Sequence, residues 1–113
     1  MSDTLLELFE VITSRRSADP KHSYVASLHQ AGLDKILEKV GEESLELILA
    51  AKNQVPDATT ERLVSEMADL WFHTLVLLAH NDLTPEAVLI ELKRREGTSG
   101  IEEKKSRPLT SAE

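Results

Sequence analysis

With 113 residues the chain has room for one domain, which removes roughly two-thirds of its unfolded surface from water and has little core to spare. Its 20 Asp and Glu against 13 Lys and Arg, a net charge of −7, exclude a broad electrostatic surface for nucleic acid, although polyphosphate can still bind where divalent cations stand between. The absence of cysteine excludes disulfides, thiolate zinc sites and cysteine nucleophiles.

The N-terminus, Met1 to Thr4, has neither the basic region nor the apolar core of a signal peptide. Thr4-Leu5-Leu6-Glu7 has the spacing of a capping box, and Leu5, Leu8, Phe9 and Ile12 follow at helical intervals, so a first helix is expected over Thr4 to about Arg16. Asp19-Pro20 breaks it. Ser23 then serves as N-cap for a short helix, Tyr24 to about Ala31, closed by Gly32. From Leu33 to Lys52 the apolar residues Leu33, Ile36, Leu37, Val40, Leu47, Ile48 and Ala51 fall on one helical stripe. Gly41 weakens that helix by up to about 1 kcal/mol relative to alanine. It reads either as a close packing point or as a place where bulk beside Glu42 and Glu43 is not tolerated.

Asn53 to Thr59, with Pro56-Asp57, is a connector, and Thr59 or Thr60 caps a helix expected to reach about Asn81. Its second half, Leu70 to Ala79, is apolar nearly all round, yet it is about half the length of a membrane span and contains His73 and Thr74. No membrane partner is expected, and the protein reads as soluble and cytoplasmic. Such a helix must still be covered on more than one side, and a small domain has few helices to do it. A second copy is therefore expected to supply the cover, most simply in a two-fold homodimer. Thr84-Pro85-Glu86 starts a last helix through Val88, Leu89 and Leu92 to about Glu96, and Gly97 ends it. No stretch alternates with the period of a strand. The expected fold is all-α, an antiparallel bundle of four to five helices over residues 1–96, followed by a polar tail over 97–113 that composition alone reads as solvated.

Glu43 and Glu46 are spaced i, i+3, as are Glu66 and Asp69, so each pair shares one helix face. In an antiparallel hairpin of the two long helices, Glu46 and Glu66 each lie about 9 Å from the turn, and Glu43 and Asp69 each lie about 13–14 Å from it, at about 1.5 Å per residue. The four carboxylates then meet at two matched levels along the edge of the helix interface. Without cations they would repel one another and raise some of their own pKa values. Mg²⁺ suits such a site, because it accepts oxygen ligands, keeps waters and takes substrate phosphates as further ligands. A single acidic pair is ordinarily a solvated face, and two in register bring the two readings level. Lys35 and Lys39 precede the cluster at salt-bridge spacing from Glu42, Glu43 or Glu46, and Lys39 alternatively reaches a substrate phosphate. His73, one turn beyond Asp69, reads as a hydrogen-bonded packing residue.

The run Gly32-Leu33-Asp34-Lys35-Ile36-Leu37-Glu38-Lys39-Val40-Gly41-Glu42-Glu43-Ser44-Leu45-Glu46 closely resembles the phosphoribosyl-ATP pyrophosphatase family. So do Ser23-Tyr24-Val25-Ala26, Glu66-Met67-Ala68-Asp69-Leu70 and Ser99-Gly100-Ile101-Glu102-Glu103-Lys104, in the family's order and over about Ser23 to Arg107. That family is similar to the all-α nucleotide pyrophosphatases, which share an E-x-x-E helix followed by E-x-x-D. The resemblance implies that Glu43, Glu46, Glu66 and Asp69 are Mg²⁺ ligands, that Glu42 is a further ligand or a base, and that the protein is a homodimer. It implies hydrolysis of a nucleotide substrate, phosphoribosyl-ATP, to phosphoribosyl-AMP and pyrophosphate, the second step of histidine biosynthesis. Glu42 and Glu43 are the candidate catalytic carboxylates, and the choice of proton acceptor stays open. The resemblance also gives the tail a second reading, in which Lys104 and Arg107 fold over a substrate phosphate. Ser44 stands where the family often has alanine, a small-for-small change. Two other functions compete: a housekeeping nucleoside triphosphate pyrophosphatase with the same carboxylates, and a non-enzymatic helical dimer whose acidic pairs are solvated.

Overall fold

The computed structural model describes residues 2–53, 59–97 and 104–105. Among them run five helices and no strand: α1 (Ser2–Arg15), α2 (Tyr24–Ala31), α3 (Leu33–Lys52), α4 (Thr59–His80) and α5 (Pro85–Arg95). The all-α expectation holds. None of these helices is long and apolar enough to cross a membrane.

Most boundaries follow from caps. Ser23 has extended backbone, φ −132 and ψ 118, and its side chain accepts from the Ala26 N–H at 3.1 Å, opening α2. Gly32 serves two helices at once: its N–H donates to the Leu28 carbonyl at 3.1 Å, and its carbonyl accepts from the Ile36 N–H at 3.2 Å. It does so at φ 102 and ψ 178, a conformation nearly reserved for glycine, where a side chain adds about 1–3 kcal/mol of strain. Thr84 accepts from the Ala87 N–H at 3.3 Å and Pro85 follows it, opening α5. The start of α1 differs from expectation, because the helix begins at Ser2 and Thr4 lies inside it. Nothing in Ser2-Asp3 opposes helix, and Asp3 in the first turn favours it through the helix dipole.

Helices α3 and α4 form the hairpin that carries the fold, with α2 laid on α3 and α1 on α4. The core gathers at the end of the hairpin away from its connector: Ile12, Val25, Leu28, Ile36, Leu75, Val76 and Ala79 are buried together, with Phe9 and Phe72 packed against them. Full burial of a branched side chain such as Ile12, Ile36 or Val76 is worth about 1.5–3 kcal/mol. Toward the connector the hairpin is bare by comparison, and Leu45, Ile48, Leu49, Val64, Met67 and Trp71 are exposed. Gly41 is exposed too, and a Cβ there would meet no atom of another element within 4 Å, so its close-packing reading finds no partner among the described residues.

Two tethers fix α2 across α4. The Tyr24 hydroxyl lies 2.8 Å from Nε2 of His73, and Nδ1 of His29 lies 2.9 Å from Nδ1 of His80, with those two rings stacked at 5.2 Å. His73 and His80 are two helical turns apart and so present to the same face. The end of α4 closes in a Schellman turn: Leu83 N–H donates to Leu78 at 2.9 Å, Asp82 N–H donates to Ala79 at 3.1 Å, and Asp82 takes φ 58. Arg16, leaving α1, donates to the Ala79 carbonyl at 2.7 Å and to the Asp82 carboxylate at 2.9 Å, which anchors the two helix ends to each other. Residues 54–58 of the connector and the expected tail segments 98–103 and 106–113 lie outside the described residues.

Candidate metal centre

The hairpin register brings the acidic pairs together. Glu43, Glu46 and Glu66 each offer a carboxylate oxygen, and these atoms lie within 4.8 Å of one another. Glu43 is buried, 7% exposed, Glu66 is half-buried and Glu46 is exposed. Glu46 and Glu66, expected at one level, bring carboxylate oxygens within 4.8 Å of each other. Burial, and after it the charge of Glu46, pushes both Glu43 and Glu66 above the usual carboxylate range.

Asp69, the fourth expected ligand, is not one of the three converging carboxylates. It lies close enough for its charge to raise both Glu43 and Glu66, but its side chain is one methylene shorter than theirs and it is exposed. The outermost oxygens therefore meet from three residues, with Asp69 beside them.

Lys39 takes the salt-bridge position: Nζ lies 3.1 Å from Glu42 and 3.7 Å from Glu43, and the hydrogen bond to Glu42 is the main cause of its raised pKa. Lys35 pairs with Glu38 at 3.7 Å instead of with the cluster. Glu42 is exposed and faces Lys39 rather than the three carboxylates. Lys104 is exposed, and Arg107 lies outside the described residues.

Around Glu43 the structure adds a network that sequence spacing does not reveal. His73 is buried, and its Nδ1 lies 2.8 Å from the Asp69 carbonyl, which can only accept, so Nδ1 carries the hydrogen. Nε2 of the neutral ring then accepts from the Tyr24 hydroxyl. The same Nδ1 stands 4.0 Å from Glu43 Oε1. His73 thus behaves as the hydrogen-bonded packing residue its position suggested, while Tyr24 is a neighbour of the site that no periodicity announces.

Two oxygens test whether a cation suits these residues. Oε2 of Glu43 and Oε2 of Glu66 are both buried without a hydrogen-bond partner in the protein. Buried polar atoms are seldom left so, and an all-carboxylate set that lacks proton donors fits a hard divalent cation.

The family model described as Phosphoribosyl-ATP pyrophosphohydrolase matches residues 5–96. The chain belongs to the phosphoribosyl-ATP pyrophosphohydrolase family. Similar proteins include the phosphoribosyl-ATP pyrophosphatases of Burkholderia vietnamiensis (strain G4 / LMG 22486), Burkholderia multivorans (strain ATCC 17616 / 249) and Burkholderia cenocepacia (strain HI2424). Each is 55% identical over 102 residues, covering 90% of this chain and 84% of the relative. The phosphoribosyl-ATP pyrophosphohydrolase match reaches back to Leu5, well before the first quoted motif at Ser23, and takes in all four carboxylates. The family is one of hydrolases, so the helical chain is an enzyme rather than a scaffold.

Proposed function

We propose that the protein hydrolyses phosphoribosyl-ATP to phosphoribosyl-AMP and pyrophosphate, the second step of histidine biosynthesis, with Mg²⁺ held by Glu43, Glu46, Glu66 and Asp69. The observation that carries this reading is the convergence of three carboxylates, two with buried unpartnered oxygens, in a chain whose relatives bear that enzyme's name. When bound, the cation neutralises phosphate charge and lowers the pKa of a coordinated water.

The protein's own residues then have distinct tasks. Water adds at the phosphorus next to the ribose, and the anhydride bond to the two outer phosphates breaks. Glu42 and Glu43 are the two candidate bases, and the carboxylate oxygen not taken up by the cation receives the proton of that water. Glu42 stands outside, where it holds Lys39 until a phosphate competes for the ammonium. Lys104 and Arg107 of the tail are further phosphate partners in this scheme. The cytoplasmic location expected from the sequence belongs to the same proposal.

Incubation with Mg²⁺ and either phosphoribosyl-ATP or a panel of nucleoside triphosphates tests the substrate. Pyrophosphate release from phosphoribosyl-ATP, stopped by EDTA, is expected. Release from the panel alone would assign the housekeeping activity instead.

The functional unit in this reading is a homodimer. A compact chain of this length has a radius of gyration of about 13 Å, whereas this one measures 16.4 Å. The bare half of the hairpin supplies apolar surface for a second copy, and Trp71, 56% exposed, belongs to it. A groove of about 460 Å³ beside it, lined by Leu5, Trp71, Leu78, Val88 and Leu92, extends the same surface to α5. Sedimentation equilibrium should give twice 12.6 kDa, and Trp71→Glu should shift the mass toward that of one chain. A wild-type mass of one chain at every concentration would remove the dimer.

A further inference from the structure

Among the described residues, Tyr24 is a side chain beside the carboxylates whose fixed geometry neither the candidate ligands nor the candidate bases explain. It is the first residue of α2, directly after the Ser23 cap. Its ring stacks on Phe72 of α4 with centroids 6.2 Å apart and planes at 19°, and it meets the edge of His73 at 5.7 Å and 85°. Its hydroxyl donates to Nε2 of His73 at 2.8 Å, and Nδ1 of that histidine is itself committed to the Asp69 carbonyl. A side chain with two torsions is thus held by its helix start, by one ring face and by its hydroxyl. It nevertheless remains 50% exposed.

The location is equally specific. The Tyr24 hydroxyl lies 2.8 Å from Nε2 of His73, whose Nδ1 stands 4.0 Å from Glu43 Oε1, so one imidazole separates it from the carboxylate group. The other exposed large aromatic, Trp71, faces the apolar groove with Leu5 and α5. A nucleotide whose phosphates lie on the carboxylates needs a flat partner for its base close by. An ordered aromatic ring with one face open supplies that partner without further loss of side-chain freedom on binding.

We propose that Tyr24 contacts the nucleotide directly, the open face of its ring receiving the purine base, with His73 and Phe72 holding the ring in place. The proposal rests on the reading of the carboxylates as a nucleotide pyrophosphatase site. It assigns to α2 a part in recognition, while α3 and α4 carry the chemistry.

AMP in the presence of Mg²⁺ is the probe, since it carries the purine base, lacks the pyrophosphate, and has its phosphate screened from the carboxylates by the cation. Titration calorimetry should show saturable binding to the wild type and a loss on the order of tenfold or more for Tyr24→Leu, which keeps an apolar side chain against Phe72. Tyr24→Phe, which keeps the ring, should recover most of the affinity. In turnover, Tyr24→Leu should raise KM for phosphoribosyl-ATP more than it lowers kcat. Thermal unfolding of both variants confirms that they are folded. Unchanged AMP affinity in Tyr24→Leu, equal losses in the Leu and Phe variants, or no saturable AMP binding to the wild type would each overturn the proposal. A wild type that binds AMP through Tyr24 yet fails to cleave phosphoribosyl-ATP would overturn the substrate assignment and leave the base contact standing.

Discussion

Glu46→Gln is expected to lower kcat for pyrophosphate release by at least about 100-fold, equivalent to about 2.7 kcal/mol of transition-state stabilisation at 1.36 kcal/mol per decade. The substitution keeps the side chain's shape and removes one charge from a group whose oxygens lie within 4.8 Å of one another. Glu46 is exposed, so no packing is lost. Its charge is the largest influence after burial in raising both Glu43 and Glu66, and its removal lowers that repulsion. The cation-free variant should therefore be at least as stable as the wild type, and its subunit mass unchanged. Steady-state assays paired with thermal unfolding make the check, and undiminished turnover would return the acidic pairs to solvated surface. The companion Asp69→Asn measures the fourth position. A loss as large as that of Glu46→Gln would mean that Asp69 moves in to act as a ligand, and a loss of a fewfold would mean that it acts through its field alone.

The second large effect is a dependence of stability on pH that a divalent cation removes. Glu43 and Glu66 hold their protons more tightly in the folded chain than at the ordinary value of 4.5. The folded state therefore binds more protons than the unfolded one in the range between those values. Stability contributed by the protonated forms is full below about pH 4.5 and is lost as pH rises through the folded values. Glu91 works in the opposite sense, since hydrogen bonds from Arg94 and Arg95 hold it down to about 2. Its contribution is present above 4.5 and is lost as pH falls through about 2, so the two effects occupy separate windows. In EDTA the unfolding midpoint should fall as pH is raised above 4.5. Excess Mg²⁺ should lift it more at neutral pH than in acid, because protons compete less for the carboxylates there, and a cation at about 100 times its Kd adds about 2.7 kcal/mol. A midpoint indifferent to Mg²⁺ at neutral pH would argue against a cation on these residues.

The parts of the fold legible from sequence are those set within a few residues. Ser23, Gly32 and Thr84 mark their helix ends because capping is a local matter of one side chain or one backbone angle. The α1 start was less legible, since Thr4 and Glu7 fit a capping box and fit the first turns of a helix equally well. The pairing of Glu46 with Glu66 was legible because two long helices and a short connector leave one simple register. Asp69 falls outside the converging group for a reason that register does not carry, the length of its side chain. The link between Tyr24 and His73 spans 49 residues and depends on where α2 rests on α4. No spacing rule reaches a contact of that kind.

The tether between His29 and His80 has a consequence of stoichiometry. At eight residues α2 is shorter than the roughly 12–15 at which isolated helices become even marginal, so its place depends on what it rests against. One of its two side-chain anchors joins an Nδ1 to an Nδ1, and such a bond exists only while a single proton lies between the two nitrogens. Burial, then Arg16 and then His80 hold the affinity of His29 for a second proton below the ordinary histidine value. With both rings charged the bond has a donor on each side and no acceptor. The helix that presents Tyr24 is thus seated on a contact that admits one proton and excludes two.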